Sequence, residues 1–310
     1  MTQTGYGEAN GKVILIGEHA VTFGQPAIAI PFKSGVVKAT ITSLKENERS
    51  FINSDVYEGF LDEAPEHIKL VVTRFINKYE IPQPINVTFE TNLPPSRGLG
   101  SSAAMAIAFI RASYNYLNKP LSDEKLIEEA NWAEKIAHGK PSGIDTQTIV
   151  SNKPVWFQQG EVTTLKPLAI EGYMVVIDTG VRGSTKKAVE DVHRLCDNSQ
   201  EYMQYVEHIG VLVHEANQAI NNNDFNQLAH IFKVSQENLR KLTVSHDQIE
   251  ALLELSQNQG AIAGKLTGGG RGGSMIVLAQ DLGTAEKISA SALEFGAHHT
   301  WVEYLGGYSD

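Results

Sequence analysis

Pro94–Phe109 reads PPSRGLGSSAAMAIAF, and the fold is decided by how this stretch is read. Two prolines forbid a continuous helix and stiffen the entry. Gly98 and Gly100 let the backbone turn sharply and let a ligand approach it closely. Ser101 or Ser102 is expected to cap the helix that follows in Ala, Met and Ile. A helix N-terminus behind a glycine-rich loop offers N–H groups and a positive dipole end, which suits an anion and above all a phosphate. A plain strand-to-helix turn with an ordinary cap is the other account, but the run GLGSSAA is denser than capping requires.

Two other phosphate loops are excluded. No G-x-x-x-x-G-K-[ST] occurs in the chain. The dinucleotide fingerprint is matched superficially by Gly98-Gly100-Ala103 and by Gly268-Gly270-Gly273. The first stands off its strand behind an extended PPSR loop. The second leads into SMIVLA, which reads as a strand where a helix is needed.

The 310 residues allow one large or two medium domains, and a net charge of −10 argues against nucleic acid or an anionic membrane as the main partner. An anionic ligand must then be held by local devices: backbone N–H groups, a few cations and a metal ion. The single cysteine, Cys196, permits no internal disulfide. With neither a signal peptide nor a membrane-length apolar run in view, a cytoplasmic protein is expected.

Strands are expected over 12–16, 27–30 and 37–42, a polar hairpin excursion over 45–63, a helix over 66–79 and a strand over 85–89. Ser122 to Gly139 reads as a helix with Ser122 as cap and a stripe through Leu126, Ile127, Ala130, Ala133 and Ala137. Glu134 falls on the edge of that stripe, where a carboxylate is costly unless paired or bound to metal, or snorkels to the surface. Asp145 follows Ser142 by three residues, so it is either half of a capping box or an acid aimed at the same site as the glycine loop. From Tyr173 the order strand, helices (186–258), strand, strand, helix, strand is that of a ferredoxin-like unit with extra helices in its first crossover. The boundary falls between about 155 and 172, giving domains 1–160 and 161–310, the last residues being candidates to return to the N-terminal domain. The loop after Leu266, TGGGRGG, is too rich in glycine for a hairpin turn; with Lys265 and Arg271 it suggests backbone close to an anion or to a neighbouring loop.

These pieces suit phosphoryl transfer, with Ser102 and Glu134 as magnesium ligands, Asp145 as proton acceptor and Lys12 beside it. PPSRGLGSSAA resembles the ATP-binding signature of the GHMP kinases (galactokinase, homoserine, mevalonate and phosphomevalonate kinases). GKVILIGEHAVTFGQPAIA resembles the family's first motif and KLTGGGRGG its third, in matching order and spacing over essentially the whole chain. Ala20-Val21-Thr22-Phe23-Gly24 after Glu18-His19, together with GKPSGIDTQTIVSNKPVWF, DTGVRGSTKKAV and TVSHDQI, are similar to the branch acting on mevalonate, most closely its short bacterial form. One departure is Gly269, where Ala is common.

The resemblance implies an α+β, two-domain fold: a ribosomal S5-like N-terminal domain and a ferredoxin-like C-terminal domain, with the site in the cleft between them. It implies ATP-dependent phosphorylation of the C5 hydroxyl of (R)-mevalonate, feeding isoprenoid synthesis. Asp145 would be the base and Lys12 its partner. Pro95, Arg97, Gly98, Leu99, Gly100, Ser101, Ser102 and Ala103 would carry ATP. Lys12, Glu18, His19, Asp145, Thr185, Gly269 and Gly270 would line the mevalonate site, and Ser102 and Glu134 would hold Mg2+. The partners implied are ATP and mevalonate, with neither nucleic acid nor membrane, and a homodimer is left open. The alternatives are a sibling kinase acting on phosphomevalonate, galactose or homoserine, and a non-catalytic relative that regulates a partner.

Overall fold

The computed structural model describes residues 3–81, 83–138 and 143–308. The chain forms two units. The first gathers the residues up to Gly11, Gly35–Pro95 and Gly100–Ser151; the second gathers Lys12–Ser34, Ser96–Leu99 and the chain from Asn152 on. In place of the single cut near residue 160 expected from the sequence, the chain changes unit at each of these points. Long strands cause the first two of these changes, since β1 (Thr4–Ile16) and β2 (Ala27–Ser43) each give one end to each unit.

The first unit continues with β3 (Phe51–Ser54), β4 (Tyr57–Phe60), α1 (Glu66–Lys78), β5 (Ile85–Thr91), α2 (Ser101–Tyr116), α3 (Asp123–His138) and α4 (Ile144–Ser151). Its strands run in the order β4-β3-β5-β2. β5 lies antiparallel to β2 from Val37↔Thr91 to Ser43↔Ile85, and β3 lies parallel to β5. Val37, Ala39 and Ile41 are buried while Lys38 is exposed, the alternation of a strand with one wet face. The expected break before residue 37 is absent. Pro31, which has no N–H for a ladder, falls between the segments of β2 that pair with β5 and with the later strand at 155–157.

α2 is buried over most of its length, through Ala103, Ala104, Ile107, Ala108 and Ala112. Its small side chains let β1 lie against its backbone. A Cβ on Gly7 would stand 2.2 Å from the Ala108 carbonyl oxygen, and one on Gly5 would stand 2.4 Å from that of Ala112. The polar-looking start of the chain is therefore strand, made possible by two glycines that admit no side chain.

The second unit adds β6 (Val155–Gln158), β7 (Glu161–Thr164), β8 (Tyr173–Asp178), α5 (Thr185–Asn198), α6 (Gln200–Asn221), α7 (Phe225–Lys241), α8 (Asp247–Asn258), β9 (Ala263–Thr267), β10 (Ser274–Ala279), α9 (Leu282–Glu294) and β11 (His299–Tyr304). Its four-stranded sheet runs β11-β8-β10-β9 with every pairing antiparallel, the ferredoxin-like order expected from the element sequence. Val175, Ile177, Leu266, Met275 and Val277 of the sheet pack with Val192, Val206, Leu239, Leu252 and Ile288 of the helices. The residues after β11 stay in this unit, where Lys33 Nζ donates to the Gly307 carbonyl at 2.7 Å. Among the described residues no helix is long and apolar enough to cross a membrane.

The β1–α2 contact yields a stability test. Gly7→Val drives two methyl groups into the α2 backbone and is expected to destabilise the protein by about 1–3 kcal/mol, read by chemical denaturation. Wild-type stability in that variant would show that the close approach is not required.

Candidate active site

Within the second unit, Arg97-Gly98-Leu99 packs against the loop that follows β9. Gly98 has φ 79 and Gly268 has φ 78, and a Cβ on Gly98 would lie 3.5 Å from the Gly268 Cα. The glycine density of TGGGRGG therefore serves contact with a neighbouring loop, one of the two uses expected of it. Lys12 is buried and clasps this segment, its backbone N–H donating to the Leu99 carbonyl at 2.9 Å and its Nζ to the Gly98 carbonyl at 3.1 Å. Arg97 is turned inward. Its Nε stands 3.2 Å from Oδ1 of the fully buried Asp178, and its Nη2 donates to the Gly180 carbonyl at 3.0 Å. The guanidinium thus acts as a strut that fixes the loop.

Within the first unit, the N-cap of α2 is Gly100, in the left-handed region at φ 74 and ψ 23, and no side chain caps the helix. The serine cap expected from the sequence is absent because Ser101 and Ser102 are already inside the helix, and the Ser102 hydroxyl is turned to Glu134, donating to Oε1 at 2.7 Å. The dipole end of α2 is thus left to backbone groups, the arrangement that suits phosphate. Glu134 is 6% exposed, so the stripe-edge carboxylate is buried and paired. Pro95 is exposed, Ser101 half-buried and Ala103 fully buried. Asp145 is half-buried in the first turn of α4. Ser142 and Gly139, the other half of the expected capping box and the expected stop of α3, lie outside the described residues.

No group of three or more His, Cys, Asp or Glu that could hold a metal occurs among the described residues. Magnesium does not require one, because it commonly takes one or two protein oxygens and fills its octahedron with water and phosphate. The Ser102–Glu134 oxygen pair fits that demand. Its 2.7 Å separation is close to the edge of about 3.0 Å spanned by neighbouring ligands of a magnesium octahedron with bonds of about 2.1 Å.

Glu18, His19, Thr185, Gly269 and Gly270 come together in the second unit. Glu18 forms an ion pair with Lys265, both side chains fully buried, and Lys265 Nζ also donates to the Leu266 carbonyl at 2.7 Å. Burial raises the Glu18 carboxyl and lowers the Lys265 ammonium from their ordinary values, and the partner's charge pulls each back. Lys265 and Arg271, the third motif's two cations, are thus both bound to carboxylates, Arg271 pairing with Asp191. The sequence links the loop that carries them to an anion or to a neighbouring loop; the matching acids lie too far along the chain for spacing to show.

His19 has φ 60 and ψ −47, and the Ala20 N–H donates to the Glu18 carbonyl at 2.7 Å. This is a γ-turn of the rarer, strained hand, centred on a residue that is not glycine. The imidazole is 4% exposed, with Nε2 3.1 Å from the Gly269 carbonyl. A carbonyl only accepts, so Nε2 carries the proton and donates. Nδ1 is buried with no hydrogen-bond partner among the described residues. Burial lowers the His19 pKa to about 4; Arg271, His193 and Lys265 push the same way and the Gly269 carbonyl opposes them. Thr185 opens α5 behind the Ser184 cap, whose hydroxyl accepts from the Lys187 N–H at 3.3 Å. A Cβ on Gly269 would fall 2.5 Å from Thr185 Oγ1, and one on Gly270 would fall 2.1 Å from the Val244 carbonyl oxygen. The glycine at 269 is therefore matched to the threonine at 185.

The family model described as GHMP kinases N terminal domain matches residues 66–152, and GHMP kinases C terminal matches residues 216–298. The mevalonate kinase of Aeropyrum pernix is 31% identical over 306 residues, spanning 95% of this chain and 94% of that protein. The crystal structure of mevalonate kinase from methicillin-resistant Staphylococcus aureus MRSA252 shares 56% identity, with a TM-score of 0.84 over 98% of this chain and 100% of that one. L. major mevalonate kinase in complex with R-mevalonate is 25% identical, with a TM-score of 0.84 over 98% of this chain and 97% of that one.

Two outcomes are expected from this geometry. Neutral His19 is the native form, so its contribution to stability is intact above pH 6.5 and is lost as pH falls from there towards about 4. Between about pH 7 and pH 5 the wild type should lose about 2 kcal/mol more than His19→Gln in chemical denaturation. Equal losses would show that His19 titrates normally. Separately, Gly269→Ala should impair folding or activity, because the added Cβ would meet the Thr185 hydroxyl at 2.5 Å and the Thr185 Cα at 2.8 Å. A fully active Gly269→Ala would deny the match.

Proposed function

Because the chain belongs to the GHMP kinase family, we propose that it transfers the γ-phosphoryl group of ATP to the C5 hydroxyl of (R)-mevalonate, giving ADP and 5-phosphomevalonate. It is a kinase that phosphorylates an alcohol. The observation that carries the choice of acceptor is the 56% identity with the S. aureus enzyme, which extends over nearly the whole chain. The motif residues after Glu18-His19 support the same choice.

Phosphoryl transfer asks a protein mainly for positioning and charge stabilisation. The backbone from Gly98 to Ser101, with Leu99 and Ala103 as its buried footing, takes the ATP phosphates at the uncapped start of α2. Pro95 and Arg97 shape that loop, Arg97 through Asp178 and Gly180. Ser102 and Glu134 hold magnesium, which when bound neutralises charge on the phosphates. Asp145 accepts the proton of the acceptor hydroxyl. Lys12, which already holds the Gly98 carbonyl, supplies positive charge for the developing alkoxide. Glu18, His19, Thr185, Gly269 and Gly270 form the acceptor wall. The neutral imidazole is held to the Gly269 carbonyl through Nε2, and Glu18 beside it is held by Lys265.

ADP release by the purified protein with MgATP is the test, with (R)-mevalonate set against phosphomevalonate, galactose and homoserine. Turnover with mevalonate alone is expected; turnover with another acceptor alone would overturn the assignment while keeping the chemistry. Asp145→Asn should keep near-normal ATP binding and lose at least about 10²-fold in turnover. Undiminished turnover would remove Asp145 from the mechanism. Ser102→Ala and Glu134→Gln should raise the magnesium concentration needed for half-maximal rate, and an unchanged requirement would count against ligation.

A further inference from the structure

A residue held in a strained backbone conformation persists only where its surroundings over-determine it. At His19 the turn's own backbone supplies part of that constraint, the Thr22 N–H donating to the His19 carbonyl at 3.0 Å, and two side-chain contacts add to it, both leading to α5. The Thr22 hydroxyl donates to the His19 carbonyl at 2.8 Å and stands 3.0 Å from His193 Nε2. Since the hydroxyl proton is spent on that carbonyl, His193 Nε2–H is the donor in the second contact. The direction of the His19 carbonyl sets its ψ, so Thr22 locks the turn and His193 locks Thr22. The Phe23 ring stacks on His193, with centroids 4.0 Å apart and an angle of 19° between the planes, so the 3₁₀ turn Ala20–Phe23 grips the imidazole twice.

The other end of the His19–Gly269 hydrogen bond returns to the same helix. Arg271, two residues beyond Gly269, pairs with Asp191 on α5. Its Nε donates to the Thr243 carbonyl at 3.2 Å and its backbone N–H to the Val244 carbonyl at 2.7 Å. Donor and acceptor of one hydrogen bond are thus each fastened to α5, His19 through Thr22 and His193, Gly269 through Arg271 and Asp191.

We propose that α5 is the positioning element of the acceptor wall, and that His193 and Asp191 are positioning residues which set the placement of the His19 imidazole and hence the binding of the alcohol substrate. The inference rests on the assignment of His19 and Gly269 to that wall. His193 and Asp191 act through His19 and Gly269 and are not themselves part of that wall, so their loss should weaken acceptor binding selectively.

The test uses the full-length protein with Thr22→Val, His193→Ala, His193→Gln and the double variant Thr22→Val/His193→Ala. The KM for the acceptor should rise about 3- to 10-fold in Thr22→Val and in His193→Ala, with the KM for ATP held within about twofold, as expected for one hydrogen bond. His193→Gln keeps an N–H within reach and should recover most of the loss. The double variant should be no worse than the worse single variant, because both remove the same link. An unchanged acceptor KM in His193→Ala, or a rise in both KM values that tracks a fall in Tm, would overturn the proposal. A second readout needs no turnover: the side-chain 15N signals of His19. In the wild type these should report one neutral tautomer with the proton on Nε2, retained down to about pH 4. In His193→Ala the same signals should shift towards a mixture of tautomers and titrate nearer 6.5, whereas identical signals would overturn the proposal. A wild type inactive on mevalonate, together with shifted His19 signals in His193→Ala, would defeat the substrate assignment and leave the positioning role standing.

Discussion

The fully buried pair of Lys265 and Glu18 is the interaction on which the candidate acceptor wall depends. Lys265 reaches from β9 to the loop after β1, and neither charge has water to fall back on. Removing either partner would leave the other uncompensated, at a cost of about 3–5 kcal/mol. The pair therefore fixes where the loop lies more than it adds net stability. Beside it, the Thr267 hydroxyl donates to the Ile14 carbonyl at 2.9 Å, so two successive contacts tie the end of β9 to the end of β1. With its neighbour Glu18 held, His19 is left a single strained turn in which to swing its imidazole onto the Gly269 carbonyl.

A second constraint is steric. Gly98 meets Gly268, Gly269 meets Thr185 and Gly270 meets the Val244 carbonyl at distances that no Cβ tolerates without movement or that leave it only bare contact. Packing backbone against backbone brings many peptide groups into a small space, and peptide N–H groups are the natural partners of phosphate. In a chain of net charge −10 this is an economical way to receive an anion. Three cations in the neighbourhood, Arg97, Lys265 and Arg271, are each held by a carboxylate, and Lys12 is held by a carbonyl. They shape the loops, which under the proposed function leaves phosphate to backbone and metal.

Much of this was legible in the sequence, and the exceptions share a cause. The order of elements from Tyr173 sufficed for the sheet β11-β8-β10-β9, because alternation and helical spacing are local properties. Glu134 declared itself by interrupting an apolar stripe, and the structure supplies its partner in Ser102. The expectation for Thr185, by contrast, came only with the family resemblance, whereas Asp145 stood out by its own place at the start of a helix. What sequence reasoning missed is long-range or conformational. His193 lies 171 residues from Thr22, and Asp191 lies 80 from Arg271, so no spacing rule joins them. Positive φ at His19 has no sequence signature, since the residue is neither Gly nor Asn. The cap of α2 was misassigned for a related reason: a serine at a helix start has two uses, and only a partner on α3 reveals which one prevails.

The central claim is that phosphate is delivered to one particular oxygen of one small alcohol. Incubating the purified protein with MgATP and (R)-mevalonate and recording the 31P spectrum of the product tests it directly. Phosphate on C5 sits on a methylene carbon, and its signal should split into a triplet by coupling to the two methylene protons. A product singlet, the mark of phosphate on the tertiary C3 oxygen, would contradict the claim. So would the release of ADP with no phosphorylated mevalonate.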